Sequence, residues 1–520
     1  MDKDDLGHVG LVKIDLLGLG MLTLLADALA LVRKHREVDL ELATIPADDP
    51  ATYALIGQAD TVGVFQIESR AQMNALPRTR PERFYDLVVQ VALIRPGPIQ
   101  GEMVHPYIRR RRGEEEITYL HPSLVPVLER TLGVPLFQEQ GMKVAITAAG
   151  FTPAQADALR RAMSRSRSSA QMARLGLALL DGMKDRGIDG EVAERIVKQL
   201  TAFASYGFPE SHAASFALLV YASAYLKAHH APELFASILN AQPMGFYPVG
   251  TLVADAKRRG VEIRGPDAVR SAWACTLEPT EGPHGFAVRF GLSLVGGIGE
   301  AAREGLARGR EAVQGHAGLE ALARYAEASA LDARTLGTLA RAGAFDAWAG
   351  DRRRAQWEVR RLTRPRAGPL DRPPPPRAAP DLPPLTEGEI LIDEYATFGA
   401  STGRHPIELM RPRLEGRGVV RAGDLAQHPG GPIRVAGLVN SRQSPMTAKG
   451  FVFLSLEDES GMVNVVVSPQ LAAAQRTALT QHPMLMVEGE LQRHQGALNV
   501  KAARLVPLAG AEGAEARARR

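Results

Sequence analysis

Asp15 lies in Lys13-Ile14-Asp15-Leu16-Leu17-Gly18-Leu19, two residues from a lysine and therefore on the same side of an extended chain. A carboxylate with apolar neighbours on a buried strand is costly unless it is paired or holds a metal. The pattern suits either a metal ligand or a plain Lys13–Asp15 surface pair at a strand end. A different chemistry is written in Leu159–Arg167, where Arg160, Arg161, Arg165 and Arg167 fall close together with no acid between them and with hydroxyls at Ser164 and Ser166. That density points to phosphate binding; the bland reading is a solvated helix end, where cations meet the negative pole of the helix. Arg109–Arg112 differs, because Glu114–Glu116 follow at once, and it reads as a charge-balanced surface. Arg95 precedes Pro96 and is held extended. Gln138 and Lys143 sit in a further polar cluster, Phe137–Lys143.

These residues need elements to carry them. Val9–Leu17 reads as one buried strand closed by Gly18 and Gly20, and Met21–Lys34 as a helix. A lone strand needs sheet partners, and none of comparable signal follows within sixty residues, so the expectation is that the chain begins inside a domain. From Pro46 to Leu239 the pattern is helical in short pieces, among them Pro81–Ala92, Pro153–Met163, Gly190–Phe203 and His212–Ala228. A helix and a short strand, Val261–Ile263, follow, then a strand pattern over Phe286–Leu294. Gly296, Gly297 and Gly299 open a helix through Arg308, either as a helix-hairpin-helix element whose N–H groups hold a DNA phosphate or as a tight turn. A second helical hairpin is expected across Asp332–Trp348.

Seven arginines between Arg352 and Arg366 and nine prolines between Pro365 and Pro384 read as an extended linker or surface segment, because such a run cannot form a core. The last unit offers five strands, Ile433–Val439, Phe451–Glu457, Met462–Val467, Met484–Glu490 and Leu498–Val506, with one helix, Gln470–Gln481, between the third and fourth. That is the plan of an OB-fold, which commonly binds oligonucleotides. Phe451 and Phe453 alternate onto one face, either to stack on bases or to fill the core. The fold class expected is multidomain and mainly α with β.

The chain has 520 residues, enough for several domains, with 62 basic and 58 acidic side chains and a formal charge of +4. One cysteine, Cys275, excludes an internal disulfide framework and suits a reducing cytoplasm. No apolar run reaches the roughly 18 residues of a membrane span, and the acidic start Met1–Asp5 does not read as a signal peptide. A cytoplasmic protein without a membrane role is expected.

Five motifs occur in order: the strand around Asp15, Phe65–Arg70, Arg95-Pro96-Gly97-Pro98, Phe137–Gly141 and Tyr206–Ala214. Together they resemble the alpha subunit of bacterial DNA polymerase III, the C-family polymerases; Pro209–Phe216 and Asn240–Tyr247 look most like the error-prone, damage-induced branch. The resemblance runs over about residues 1–508 and implies a layout. Residues 1–40 would be the C-terminal edge of a palm, 41–285 helical fingers, 286–362 a helix-hairpin-helix region and 363–387 a linker. Residues 388–432 would connect to an OB-like five-stranded barrel at 433–508, with a disordered tail at 509–520.

The resemblance also implies roles. Asp15 would be a catalytic carboxylate and magnesium ligand, one of three that share two Mg2+ ions, with Lys13 beside it facing phosphates or the primer end. Arg95, Gln138, Lys143, Arg160, Arg161, Arg165, Arg167, Tyr206, Ser211 and His212 would line the nucleotide and template path. An alternative for His212 is a hydrogen-bonder at a helix start with Ser211 as N-cap. Gly297, Gly299, Phe451 and Phe453 would add DNA contacts. The partners implied are primer–template DNA, deoxynucleoside triphosphates, accessory mutasome-type proteins and, through these, the sliding clamp, since no Gln-x-x-Leu/Met-Phe peptide is found near the proline-rich stretch. The paired Asp-x-Asp of the family's palm is not found, as Asp2-Lys3-Asp4 lies in a polar opening run. The expectation is a fragment with little polymerase activity alone; the alternative is a non-catalytic DNA-binding scaffold derived from a polymerase.

Overall fold

The computed structural model describes residues 20–94, 101–164, 169–204, 207–244, 247–363, 380, 382–444, 448–494 and 497–508. The strand expected at residues 9–17, and with it Lys13 and Asp15, lies outside the described residues, as do Arg95, Arg165, Arg167, Tyr206 and the tail from residue 509. Among the described residues two compact units emerge, one over residues 45–228 with 493–497 and the other over 20–44, 229–492 and 498–508. No described helix is long and apolar enough to cross a membrane.

The barrel-bearing unit starts with α1, Met21–Arg36. Its buried Met21, Leu24, Leu25, Ala28 and Val32 fall at helical spacing and form one apolar face.

The helical unit contains α2 (Pro50–Gly57), α3 (Arg70–Thr79), α4 (Phe84–Leu93), α5 (Gly101–Arg111), α6 (Gln138–Ala149), α7 (Pro153–Ser164), α8 (Ser169–Lys184), α9 (Gly190–Ala204) and α10 (Glu210–His229). Their starts carry ordinary signals: Asp49 accepts from the Thr52 N–H at 2.7 Å ahead of Pro50, and Ser69 accepts from the Gln72 N–H at 3.3 Å. Along α10, Ala213, Ala217, Val220, Ala224 and Lys227 make one buried stripe, three of them alanines that let neighbouring backbone approach closely.

In the barrel-bearing unit, α11 (Ala231–Asn240) is buried along nearly its whole length and packs on α1. After it come α12 (Val249–Arg258) and a small sheet of β1 (Ile263–Arg264), β2 (Thr276–Pro279) and β3 (Phe286–Arg289), with β3 central. Cys275 is buried beside this sheet; burial pushes its thiol up to about 11, which leaves it inert at neutral pH. The helices α13 (Arg303–Ala312), α14 (Gly318–Ser329), α15 (Ala333–Arg341) and α16 (Arg352–Leu362) follow. Here the sequence expectation is corrected. The arginines at 352–361 do not begin a linker but form α16, started by Asp351, whose carboxylate accepts the Arg354 N–H at 2.9 Å. Arg352 reaches Asp346, six residues earlier, at 3.2 Å and Arg353 reaches Glu389, thirty-six residues later, at 2.9 Å, so acids outside the run pair with its start.

Residues 388–432 are likewise more ordered than a connecting segment, with α17 (Glu387–Phe398), α18 (Pro406–Glu415) and a short strand β4 (Val419–Val420). The His405 ring caps α18, its Nδ1 accepting the Ile407 N–H at 3.2 Å, which requires that nitrogen to be unprotonated. Burial is the first cause that pushes His405 down to about 4 from 6.5, opposed by Asp458 and Glu408 and reinforced by Arg258 and Lys257. A depressed histidine contributes stability that is present above pH 6.5 and lost as pH falls towards about 4, roughly 3 kcal/mol in full. His405→Asn, which can cap without titrating, is expected to flatten that part of the acid limb of a urea-midpoint-against-pH curve. An unchanged limb would remove His405 from the account.

The five-stranded closed barrel matches the OB plan: β5 (Gly431–Gln443), β6 (Val452–Asp458), β7 (Gly461–Val467), β8 (Met484–His494) and β9 (Ala497–Pro507). β5 pairs antiparallel with β6 and β8, β6 antiparallel with β7, and β7 parallel with β9. β4 adds a sixth strand parallel to β5. Between β7 and β8 the expected helix is split into Pro469–Ala474 and Arg476–Gln481. Val435, Leu454, Leu456, Val465, Val467, Leu485, Val487 and Val500 are fully buried inside the barrel. At Gly489 a Cβ would lie 2.2 Å from the Lys501 carbonyl, so only glycine permits this strand contact.

Candidate nucleic-acid interface

In the helical unit, two motifs some seventy residues apart meet at one corner. Phe137 and Phe208 form a parallel bridge, the Gln138 N–H donates to Phe208 O at 3.0 Å, and Gln138 Nε2 donates to Gly207 O at 3.0 Å. Gln140 folds back, its Oε1 accepting the Leu136 and Phe137 N–H groups at 2.9 and 3.1 Å. Glu139 Oε2 accepts the Glu210 N–H at 2.9 Å, tying the start of α10 to the start of α6. The other side of the corner is held by the Tyr85 hydroxyl, 2.8 Å from Glu210 Oε1, with the Arg130 guanidinium 3.7 Å over the Tyr85 ring. Two helix N-termini thus lie together, each presenting the positive pole of its dipole.

Ser211 and His212 are exposed on the first turn of α10. The helix begins at Glu210, so Ser211 is not its N-cap, correcting the sequence expectation; the Glu139 carboxylate from α6 takes that first N–H instead. The His212 ring lies tilted against its neighbours, with centroids 5.3 Å from Phe208 and 4.2 Å from Phe216, which in turn meets Phe65 edge-on at 5.2 Å. Lys143 is exposed on α6. Gln138 uses its amide on Gly207 O, so its first task is to hold the corner together.

The arginine cluster is less unbalanced than the sequence suggests. Asp157, one turn earlier on α7, accepts from Arg160 Nε at 2.9 Å and from Arg161 Nε at 2.8 Å. Those two guanidinium groups, Arg161 first, hold the Asp157 carboxyl below its usual range. Arg161 stays largely exposed, so it can swing from Asp157 to an anionic ligand.

Sequence reading missed the buried network behind the Phe65–Arg70 motif. Lys227 is fully buried, its Nζ 2.9 Å from both Asp60 Oδ1 and Val62 O. The Ser223 hydroxyl accepts the Phe65 N–H at 3.2 Å, and Glu68 accepts the Gly63 N–H at 3.0 Å. Burial drives Glu68 up to about 7. The loop is therefore pinned to α10, the helix that carries Ser211 and His212. A lysine closing an otherwise apolar helical stripe was the available signal.

On the barrel, Leu454 and Leu456 point inward, so the alternating Phe453 lies on the outer face of β6, and Phe451, just before the strand, is 38% exposed. Register settles the question left open by the sequence: neither phenylalanine belongs to the barrel core. Beside Phe453 on β7 stands Val466, while further along the same face Ser455 is buried beside Asn464. Gly297 is exposed with φ +81°, a conformation that favours glycine, and the Gly296 N–H is spent on Thr397 O at 2.6 Å. Among the described residues the Gly297 and Gly299 N–H groups meet no protein acceptor.

Comparison with known proteins matches three segments. Residues 21–187 fit the family described as bacterial DNA polymerase III alpha subunit finger domain, 260–355 a helix-hairpin-helix motif, and 433–508 an OB-fold nucleic acid binding domain. The error-prone DNA polymerase of Anaeromyxobacter sp. (strain K) is 47% identical over 534 residues, covering 100% of this chain and 47% of that protein. The error-prone DNA polymerase of Alkalilimnicola ehrlichii is 49% identical over 510 residues, covering 97% of this chain and 49% of its own length. That of Methylococcus capsulatus is 47% identical over 523 residues, with 97% and 49% covered.

Residues 21–187 belong to the bacterial DNA polymerase III alpha-subunit finger-domain family.

The relatives named are error-prone DNA polymerases, and the chain spans about half the length of these curated proteins. The family resemblance assigns Asp15 to magnesium. Among the described residues no group of three or more His, Cys, Asp or Glu side chains could hold a metal ion. On that resemblance the metal pair falls to the strand around Asp15, outside the described residues.

Proposed function

We propose that this chain serves template-directed DNA synthesis as part of an error-prone polymerase, carrying the fingers, the helix-hairpin-helix element and the OB barrel. In that reaction the primer 3′-hydroxyl attacks the α-phosphate of a deoxynucleoside triphosphate, a P–O bond forms, and pyrophosphate leaves in line. Magnesium would stabilise the attacking and leaving oxygens; the described residues act on the DNA and the triphosphate. The observation that carries the reading is the corner at which the starts of α6 and α10 meet with Ser211 and His212 exposed. Paired helix N-termini suit phosphate oxygens. Arg160 and Arg161 are mobile cations for the triphosphate, and Lys143 adds a further one. Phe451 and Phe453 offer stacking surfaces to the template strand, and the Gly297 and Gly299 N–H groups suit a duplex phosphate. Arg95, Arg165, Arg167 and Tyr206 complete the nucleotide and template path on the family resemblance alone, as Lys13 and Asp15 do for the palm.

Accessory proteins of a damage-induced complex, and through them the sliding clamp, complete the partners we assign, and the DNA template places the work in the bacterial cytoplasm. A chimera in which this chain replaces the matching half of the Anaeromyxobacter sp. polymerase tests the function. It is expected to extend a primer, and Arg160→Ala with Arg161→Ala is expected to raise the triphosphate KM about 10-fold or more, the size of a lost charge-assisted hydrogen bond. A folded chimera that binds primer–template yet adds no nucleotide would favour the scaffold alternative.

A further inference from the structure

Two hollows on the helical unit, each about 520 Å3, adjoin at Arg80 and Glu82, which line both. Arg78, Arg110, Arg111 and Arg112 wall the first; Pro50, Tyr53, Ala54 and Pro81 wall the second. Asp48 and Gln58 also line the second, so the groove has one arginine-rich half and one half that is mostly apolar with an acid at its edge. It shares no residue with the corner built from Phe137–Gly141 and Gly207–His212.

Most of the arginines are already matched. Arg110 Nε lies 2.9 Å from Glu115 and its Nη1 2.8 Å from Leu132 O; Arg111 Nη2 lies 2.7 Å from Asp86, and Arg112 Nε 2.6 Å from Glu114. The balanced surface expected for Arg109–Arg112 is therefore present. Arg78 and Arg80 come from another segment, the end of α3, and change the outcome. Among the described residues Arg78 makes one side-chain hydrogen bond, Nη2 to the neutral Asn74 Oδ1 at 2.8 Å, and its Nε is buried and meets no partner there. The Arg80 side chain is exposed and meets no acceptor among the described residues. Burial and the neighbouring Arg112 charge both depress the Arg78 pKa.

Backbone strain marks the same place. Arg80 ends α3 at φ +42°, in the left-handed region that costs a non-glycine residue about 1–2 kcal/mol. Its carbonyl is held by Arg111 Nη2 at 3.3 Å and its N–H by Leu76 O at 2.9 Å. Strain held this way gathers at ligand sites. Planar guanidinium donors match phosphate oxygens, and a proline and tyrosine wall matches the face of a base.

We propose that this groove binds a nucleotide unit, its phosphate between Arg78 and Arg80 and its base against Pro50, Tyr53 and Pro81. Two sources share that chemistry, a passing single strand and a free nucleoside triphosphate. The site stands on this geometry and not on polymerase activity, so its failure would leave the proposed function untouched.

The test uses the full chain carrying Phe453→Ala, to reduce binding at the barrel, and measures anisotropy of labelled oligo(dT) in one arm and of a labelled dATP in the other. Arg80→Glu is expected to weaken binding about 10-fold or more in at least one arm, and in the oligo(dT) arm to lower the salt slope by roughly 0.7. Glu82→Gln, which removes the acid at the seam, is expected to tighten the same arm, an outcome that misfolding cannot imitate. Loss in the oligo(dT) arm alone assigns the site to a strand, loss in the dATP arm alone to a free nucleotide, and loss in both to either source. Affinities within two-fold of the parent in both arms, or no binding by the parent in either, would overturn the proposal.

Discussion

Arg258→Met lowers the stability of the barrel-bearing unit by about 3–5 kcal/mol at neutral pH, because it strips the counter-charge from buried acids. Arg258 on α12 sends Nη1 to Glu457 Oε1 at 2.8 Å and Nη2 to Asp255 Oδ1 at 3.3 Å. Glu457 is only 1% exposed, and its one other acceptor bond is from Asn440 Nδ2 at 2.7 Å. Asp255 is also buried. Methionine fills the space of the arginine stem and leaves the buried Glu457 carboxylate without its cation. Burial already raises the Glu457 pKa in the intact protein. A raised acid pKa means the folded state holds its proton more tightly, so stability falls as pH climbs from the unfolded value through the folded one. The variant steepens that fall, and its deficit shrinks on acidification as Glu457 takes a proton. All three tryptophans, Trp273, Trp348 and Trp357, lie in this unit. Urea unfolding followed by tryptophan fluorescence therefore reads the effect directly, and a loss below about 1 kcal/mol, the worth of an exposed pair, would contradict it.

Lys227→Met is the matching experiment in the helical unit, again with an expected loss of about 3–5 kcal/mol. Its ammonium, fully buried, is the group that holds Asp60 Oδ1 and Val62 O, and its charge also favours ionised Glu68. Without it the loop before α3 loses an anchor to α10, and Glu68 titrates still higher. Since the helical unit contains no tryptophan, its transition appears in far-ultraviolet circular dichroism while tryptophan fluorescence stays put. A tryptophan transition that shifted as much as the dichroism would contradict the assignment of Lys227 to the helical unit alone. An unchanged dichroism midpoint would show that the buried lysine anchors nothing.

Short-range patterns were legible and long-range partners were not. The barrel strands stand out because inward apolar residues alternate with outward ones, as Val463, Val465 and Val467 do on β7. Helices such as α7 and α9 stand out for the same reason at a period near 3.6. α16 was misread because its arginines look unpaired until Glu389 and Asp346 are brought beside it by folding. Asp157 was overlooked for a smaller reason: a helix places it beside Arg160 and Arg161 although it precedes the cluster in sequence. Ser211 has the composition of a cap, but the cap is supplied by Glu139, seventy residues away. The two-faced reading of Phe451 and Phe453 needed register, which only the pairing of β6 with β5 and β7 supplies.

Primer extension by the chimera with and without Asp15→Ala is the most direct measurement. If this chain brings a catalytic carboxylate together with its nucleotide-binding fingers, the parent chimera extends the primer. The Asp15→Ala form should then lose about 1000-fold or more in rate, several kcal/mol of transition-state stabilisation, while binding primer–template as before. An Asp15→Ala chimera that extends primers within two-fold of its parent would contradict the account.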